Sequence, residues 1–197
     1  MMRIAVLASH GGSVLQAVID AIEAGTLPAQ LVLVISNNSQ AHALKRAVAH
    51  GIATVHLSSC THPNCDDLDD AITRVLKKSE PDWILLAGYM KRLGPRTLAA
   101  FRNKIINIHP ALLPKHGGKG FYGRKVHQAV LDAGDPESGA TVHLVESEYD
   151  SGPILSQVRV PVKASDSVES LERRVQVAER NLITITLTEL AASTRVA

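Results

Sequence analysis

The sequence contains few aromatic residues and few cysteines. Aromatic side chains make up only 3% of the 197 residues, so the core must be built from Val, Leu, Ile and Ala. Aliphatic cores of this kind suit a buried parallel sheet covered by helices. The two cysteines, Cys60 and Cys65, are half of a ligand set at most, because a zinc site needs further ligands at suitable spacing. We therefore expect a surface loop with two reduced thiols and no metal site.

The sequence also lacks an excess of one charge and a long apolar run. The formal net charge is +2 with neutral histidines, which argues against the basic surface of a nucleic-acid-binding protein. No apolar stretch approaches the ~20 residues needed to span a bilayer. The apolar run after Arg3 is interrupted at residues 9–12, too early for a signal peptide. We expect neither nucleic-acid nor membrane partners, and a cytoplasmic protein.

Short β-branched runs alternate with helical patterns in the first half of the chain. Apolar side chains at steps of three and four form two helical faces: Leu15, Val18, Ile19 and Ile22, then Leu68, Ala71, Ile72, Val75 and Leu76. This alternation is typical of βαβ units. We predict an α/β fold that is Rossmann-like, with an open, mostly parallel sheet and helices on both faces. Its first five strands are predicted at 4–8, 31–35, 54–57, 83–86 and 105–108.

The pattern changes in the second half of the chain. A loop rich in Pro and Gly precedes a predicted helix at 122–133. Two strand-like runs, 140–145 and 154–162, flank a turn at 150–153, which predicts an antiparallel C-terminal pair of strands.

The last helix has the clearest apolar repeat. Either Asp166 or Ser167 can cap its start. Its apolar positions recur at steps of three and four, at Val168, Leu171, Val175, Ala178, Leu182 and Ile185. The chain contains no internal repeat or linker, so we predict one domain over residues 1–197.

The first strand-to-helix turn, at residues 9–13, reads Ser-His-Gly-Gly-Ser. Glycines let the backbone approach an anion closely, and the N–H groups and dipole of a helix N-terminus favour a phosphate. The turn matches neither a dinucleotide fingerprint nor a Walker loop. On the local pattern alone, a phosphate site and a plain tight turn are equally open.

A second polar feature ends the fifth predicted strand. Because side chains alternate along a strand, Asn107 and His109 project from one face, opposite Ile106 and Ile108. Open α/β sheets place ligands at the carboxyl ends of their strands. Asn can donate to a developing oxyanion and His can carry a proton, so the pair is a candidate catalytic site. The alternative is a histidine that only satisfies a loop.

Two further polar features indicate no function by themselves. Asp150 is one of three acids at 146–150, and acids in turns are usually solvated or capping residues. Glu172, Gln176 and Glu179 share one face of the last helix, where a solvated surface is the ordinary outcome.

At residues 107–114, Asn-Ile-His-Pro-Ala-Leu-Leu-Pro, the chain resembles the folate-dependent formyltransferases, in particular the branch that formylates glycinamide ribonucleotide in purine biosynthesis. The downstream Asp-Ser-Gly-Pro-Ile at 150–154 makes this resemblance specific. Other matching segments follow in order along almost the whole chain, at 12–17, 86–90, 139–143 and 174–179.

The resemblance implies a role for each candidate residue. The catalytic residues would be Asn107, His109 and Asp150. The ribonucleotide would be bound through its phosphate, sugar and glycinamide part by Gly12, Ser13, Val14, Gln176 and Glu179. The folate pocket would be lined by the stretch before Asp150 and by Met90, Lys91, Arg92, Leu93 and Asn107. The phosphate-binding part would cover about 1–104, and the catalytic and folate-binding part about 105–190.

The implied reaction moves a formyl group from 10-formyltetrahydrofolate, the co-substrate, to an amine. Asn107 and protonated His109 would stabilise the oxyanion of the tetrahedral intermediate. Asp150 would keep His109 cationic, because a nearby carboxylate raises the pKa of a histidine, and would relay the amine proton. No metal is required. The partners would be small molecules, and the chain a monomer or a homodimer.

Two departures from the family pattern bear on the substrates. The family usually has Asn where this chain has Val14, so one side-chain donor to the phosphate is lost. The family also often has an arginine around residues 64–70, and this chain has none there.

Several activities stay open at this point. Water could replace the amine, which would make the chain a formyltetrahydrofolate hydrolase. The amine could belong to another phosphorylated substrate, such as an amino-sugar nucleotide. A folate-binding relative without activity is a further alternative, although the intact Asn107, His109 and Asp150 argue against it.

Overall fold

The computed structural model describes residues 1–193, so the last four residues of the domain predicted over 1–197 lie outside the described part. The strands are β1 Met2–Leu7, β2 Ala29–Ser36, β3 Thr54–His56, β4 Trp83–Leu86, β5 Ile105–His109, β6 Glu137–Leu144 and β7 Ile154–Pro161. The helices are α1 Ser13–Glu23, α2 His42–Ala49, α3 Cys65–Ser79, α4 Pro95–Ala100, α5 Arg124–Asp132 and α6 Val168–Ser193. The strands form a seven-stranded sheet in the order β3-β2-β1-β4-β5-β6-β7.

One compact unit comprises Met1–Ile106 and, within the described residues, the chain from Leu187 to Ser193. In it, β1 pairs in parallel with both β2 and β4, and β2 pairs in parallel with β3. Four consecutive side chains of β1 are completely buried: Ile4, Ala5, Val6 and Leu7. Burial on both faces of a strand is the property of a parallel sheet covered on both sides. The first four predicted strands overlap with β1 to β4, although β1 and β2 each begin two residues earlier than predicted.

The apolar faces predicted for α1 and α3 are largely confirmed. Leu15, Val18 and Ile19 are buried in α1, whereas Ile22 is only partly buried. The local patterns do not identify α2 and α4. These helices have eight and six residues, too few for a clear repeat.

The second compact unit comprises Asn107–Thr186. In it, β6 and β7 pair antiparallel from Glu137↔Pro161 to His143↔Ile154, with a register shift between Val142 and His143. Its apolar core joins one helix, one strand and the last helix through Val130, Val160, Leu171 and Val175. The prediction of a mostly parallel sheet with an antiparallel C-terminal pair is confirmed.

The last helix begins where predicted but buries a different face near its end. Ser167 caps it, because the Ser170 N–H donates to Ser167 Oγ at 3.2 Å. The prediction for Ile185 is wrong, since this side chain is 56% exposed while Ile183 is completely buried. Positions predicted at regular steps of three and four rotate slowly around a helix that has 3.6 residues per turn. By the fifth turn the buried face is therefore formed by residues other than those predicted.

Three findings concern disulfides, metal ions and membranes. Both cysteines are exposed and free of disulfides. Among residues 1–193, no group of three or more His, Cys, Asp or Glu side chains is arranged to hold a metal ion. The helices of the same residues include none that is long and apolar enough to cross a membrane.

Candidate active site

The carboxyl end of β5 carries the first two candidate catalytic residues. Asn107 Nδ2 lies 3.4 Å from Asp150 Oδ1, and His109 Nδ1 lies 3.6 Å from Asp150 Oδ2. Two side chains that reach the same carboxylate project from the same face of the strand, as their alternation predicts. The structure therefore brings together Asn107, His109 and Asp150.

Asp150 lies in the turn between β6 and β7. Its backbone has φ 53, in the left-handed region that Asp tolerates better than most residues. Its Oδ2 accepts a hydrogen bond from the Gly118 N–H at 2.9 Å. The side chain of Asp150 is only 10% exposed and that of His109 only 5%. Asp150 is therefore a buried carboxylate that is fixed by a hydrogen bond, and the alternative of a solvated turn acid is wrong.

His143 belongs to the same cluster, although the sequence patterns assign it no role. Its Nδ1–H donates to the Leu144 carbonyl at 2.8 Å. A neutral His143 is then unprotonated at Nε2, which accepts from Asn107 Nδ2 at 3.1 Å. His143 therefore fixes the orientation of the Asn107 amide. A sequence pattern could have identified His143. Thr141 and His143 are polar residues two positions apart in β6, as Asn107 and His109 are in β5.

The expectation that His109 is cationic is wrong for this structure. Burial lowers the pKa of His109 below its ordinary value and outweighs the opposing charge of Asp150. A hydrogen bond to the backbone acts in the same direction as Asp150: His109 Nε2–H donates to the His116 carbonyl at 2.8 Å. At neutral pH His109 is therefore neutral, with its proton on Nε2 and its unprotonated Nδ1 facing Asp150.

Asp150 is ionised at neutral pH. Burial acts to raise the pKa of this carboxyl group, but three neighbours together lower it below its ordinary value. They are His143, whose Nε2 lies 3.4 Å from Oδ1, the charge that His109 acquires when it is protonated, and the Gly118 N–H. A buried carboxylate beside a neutral imidazole is an arrangement that can accept a proton and stabilise the resulting cation.

A buried hydroxyl supports the chain just after His109. Thr141 Oγ1 donates to the Ala111 carbonyl at 2.7 Å and accepts from the Leu113 N–H at 3.1 Å. Gln157 Nε2 lies 2.8 Å from the same hydroxyl oxygen and 2.9 Å from the Leu113 carbonyl. Residues 111–113 are thus attached to the β6–β7 pair that carries His143 and Asp150.

The predicted phosphate-binding turn lies in the first unit. Gly12 has φ 71, and a Cβ there would lie 2.8 Å from Ala43 Cβ, so only glycine fits. Gln16 makes the first intrahelical bond of α1, to the Gly12 carbonyl, so the N–H groups ahead of it have no intrahelical partner. Ser13 is exposed, whereas Val14 is buried. The backbone is arranged as an anion site requires, and the Val14 side chain adds no donor to it.

The remaining candidates differ in exposure. Met90, Lys91 and Arg92, predicted to line a folate pocket, are exposed, whereas Leu93 is 5% exposed. The Met90 N–H donates to Ser9 Oγ at 2.8 Å, so this stretch is attached to the end of β1.

The polar face of α6 is not a simple solvated surface. Gln176 Nε2 donates to Glu172 Oε1 at 3.3 Å, and Arg124 Nε lies 3.1 Å from Glu172 Oε2. Burial raises the pKa of Glu179 to about 7. Such a shift is typical of a carboxyl group at a binding site, although structural carboxyl groups show it as well.

Known proteins share the sequence and the fold of this chain. The formyl transferase family model matches residues 2–187. The phosphoribosylglycinamide formyltransferase of Haemophilus influenzae is 42% identical over 179 residues, which cover 91% of this chain and 82% of that protein. Glycinamide ribonucleotide transformylase 1 of Symbiobacterium toebii has a TM-score of 0.91 at 35% identity, covering 98% of this chain and 89% of that one. The phosphoribosylglycinamide formyltransferase of Brucella melitensis has a TM-score of 0.89 at 41% identity, with 97% and 96% covered. The chain belongs to the formyl transferase family.

Proposed function

We propose that this chain transfers the formyl group of 10-formyltetrahydrofolate to the amine of glycinamide ribonucleotide, a step of purine biosynthesis. The observation that carries the proposal is the contact of one buried carboxylate, Asp150, with both Asn107 and His109. The relatives that share this fold are named for the same activity, which supports the choice of amine.

Asn107 stabilises the oxyanion in this proposal. When the amine attacks the formyl carbon, a C–N bond forms and the carbonyl electron pair moves to oxygen. The Asn107 amide has one short contact, to His143 at 3.1 Å, and one long contact, to Asp150 at 3.4 Å. The N–H with the long contact is the one that can turn to the oxyanion, because a 3.4 Å hydrogen bond is weak. A donor of this kind contributes about 3–4 kcal/mol to an acyl-transfer transition state.

The His109–Asp150 pair moves the proton. The attacking amine becomes an ammonium group and must lose one proton before the intermediate collapses. The pair accepts that proton and returns it to N10 of the folate as the bond between N10 and the formyl carbon breaks. This role needs a neutral imidazole at rest, which the lowered pKa of His109 supplies.

In this proposal each substrate has its own set of binding residues. We assign the ribonucleotide phosphate to the turn at Gly12, Ser13 and Val14, and the folate to residues 90–93 and the stretch before Asp150. Gln176 and Glu179 would bind the sugar and the glycinamide part of the ribonucleotide. The reaction takes place in the cytoplasm, uses small molecules only and requires no metal, and the chain acts as a monomer or a homodimer.

The test uses purified protein with 10-formyltetrahydrofolate, with and without glycinamide ribonucleotide. Loss of the formyl-folate is followed by absorbance, and formylated product by mass. Loss that depends on the ribonucleotide supports the proposal. Loss without any amine indicates a hydrolase, loss only with an amino-sugar nucleotide indicates a different amine, and tight folate binding without loss indicates a binding relative.

A further inference from the structure

We propose that Asp135 is a positioning residue which, through the side chain of His116, holds the 115–118 segment where it supports His109 and Asp150. Asp135 lies between α5 and β6, outside the cluster of Asn107, His109 and Asp150. The inference rests on the proposed function for its kinetic consequences, and on the geometry alone for its structural ones.

The 115–118 segment contributes a backbone group to each member of the acid–base pair. The His116 carbonyl accepts from His109 Nε2–H at 2.8 Å, and the Gly118 N–H donates to Asp150 Oδ2 at 2.9 Å. The first contact keeps the proton of neutral His109 on Nε2, which leaves Nδ1 to face Asp150. The second favours the ionised carboxylate. A displacement of this segment therefore changes both groups together.

The segment does not adopt this conformation for local reasons. His116 has φ 53, a left-handed conformation that costs a residue other than Gly, Asn or Asp about 1–3 kcal/mol. At Gly117 a Cβ would lie 2.4 Å from Leu113 Cδ2 and 3.3 Å from Asp150 Cβ, so the backbone passes close beside the catalytic carboxylate. A strained backbone in a tight space persists only where its surroundings hold it.

Asp135 provides that restraint. Its Oδ2 lies 2.6 Å from His116 Nε2, and the two side chains are only 14% and 15% exposed. Its Oδ1 lies 2.8 Å from Lys115 Nζ, but Lys115 is 70% exposed, and exposed ion pairs contribute little. The bond with His116 is therefore the stronger restraint. The hydrogen bonds from His116 and then Lys115 lower the pKa of Asp135, consistent with an ionised carboxylate.

The kinetic test compares Asp135→Ala with a matched control, Glu137→Ala. Glu137 is two residues away, and its carboxylate forms an ion pair with Arg159 at 2.6 Å. We expect Asp135→Ala to lower kcat by about 10–100-fold, because a misplacement of about 1 Å in a catalytic group can cost roughly 100-fold, with little change in KM. The control should keep the wild-type kcat. Equal losses in the two variants would overturn the proposal.

A spectroscopic readout separates positioning from a loss of stability. The imidazole resonances of His109 are followed against pH by NMR, at a temperature where each variant is folded. Asp135→Ala should change the titration midpoint of His109, whereas Glu137→Ala should leave it unchanged. An unchanged midpoint in Asp135→Ala refutes the proposal. This titration needs no substrate, so it decides the matter even where the wild-type protein fails to transfer formyl groups and the proposed function fails.

Conservative replacement of His116 gives a second test, which also serves where Asp135→Ala does not fold. Gln can donate an amide N–H to Asp135, and Leu cannot. We expect His116→Gln to keep most of the activity and His116→Leu to match the loss in Asp135→Ala. Equal activity of the Gln and Leu variants would contradict a role for this hydrogen bond.

Discussion

Replacement of Asp150 by Asn is the sharpest test of the proposed acid–base pair. The change removes one charge and keeps the size of the side chain. The amide oxygen can still accept the Gly118 N–H that Asp150 now accepts at 2.9 Å, so the local backbone should stay in place. We expect kcat to fall strongly while folate binding is largely retained, because the lost interaction is made mainly in the transition state.

The size of the effect follows from the distance between the two groups. His109 Nδ1 and Asp150 Oδ2 are 3.6 Å apart. With an effective dielectric constant of about 20, a carboxylate and an imidazolium at that separation attract each other by about 5 kcal/mol. This energy corresponds to roughly three to four powers of ten in rate if only the transition state carries the charged His109. It lies within the range of about 100-fold to 10,000-fold typical of general acid–base assistance.

The pH profile of the variant provides an independent measurement. The sequence alone predicts that His109 has a raised pKa which returns to its ordinary value when Asp150 is replaced. In the structure burial already lowers the pKa of His109, and Asp150 opposes that shift. Removal of the charge should therefore lower this pKa further and move the His109 limb of the profile to lower pH. Asp132→Asn, the same change at an exposed acid, is the control and should retain wild-type kinetics. An unchanged kcat with an unchanged profile would remove Asp150 from the mechanism.

Three further predictions concern other parts of the chain. Val14→Asn should tighten ribonucleotide binding by about 1.5–3 kcal/mol at most, because it adds one side-chain hydrogen bond to a charged group. Calorimetry measures this affinity, and weaker binding would contradict the assigned substrate. The pKa of Glu179 is raised from 4.5 to about 7, so stability should decrease as pH rises through this interval. Glu179→Gln should then be more stable than wild type in urea at about pH 8, by up to about 3 kcal/mol, and not at about pH 4. Asp69→Ala should lower the free energy of unfolding by on the order of 3 kcal/mol, because Asp69 is 5% exposed and accepts the Arg96 and Thr97 N–H groups.

The sequence predicts best what depends on neighbouring residues. Asn107 and His109 share a face because side chains alternate along a strand. Five residues are enough to show that alternation in the sequence. The helix α4 depends instead on Asp69 of α3, whose carboxylate binds the N–H groups at its start from 27 and 28 residues away. No local pattern contains that contact, so α4 is missed. Asp150 is found only through the family resemblance for the same reason, as it meets Asn107 across 43 residues.

The charge of His109 shows why residue identity alone does not determine a mechanism. A carboxylate beside a histidine predicts a raised pKa for the histidine, and the sequence alone supports that expectation. The structure adds burial, which acts against the charged form and outweighs the carboxylate. A cationic His109 could stabilise an oxyanion from the start but could not accept a proton. In the proposed mechanism a neutral His109 accepts the amine proton, and Asp150 stabilises the imidazolium that forms. Burial and the carboxylate together therefore favour a His109 that is charged only during the reaction.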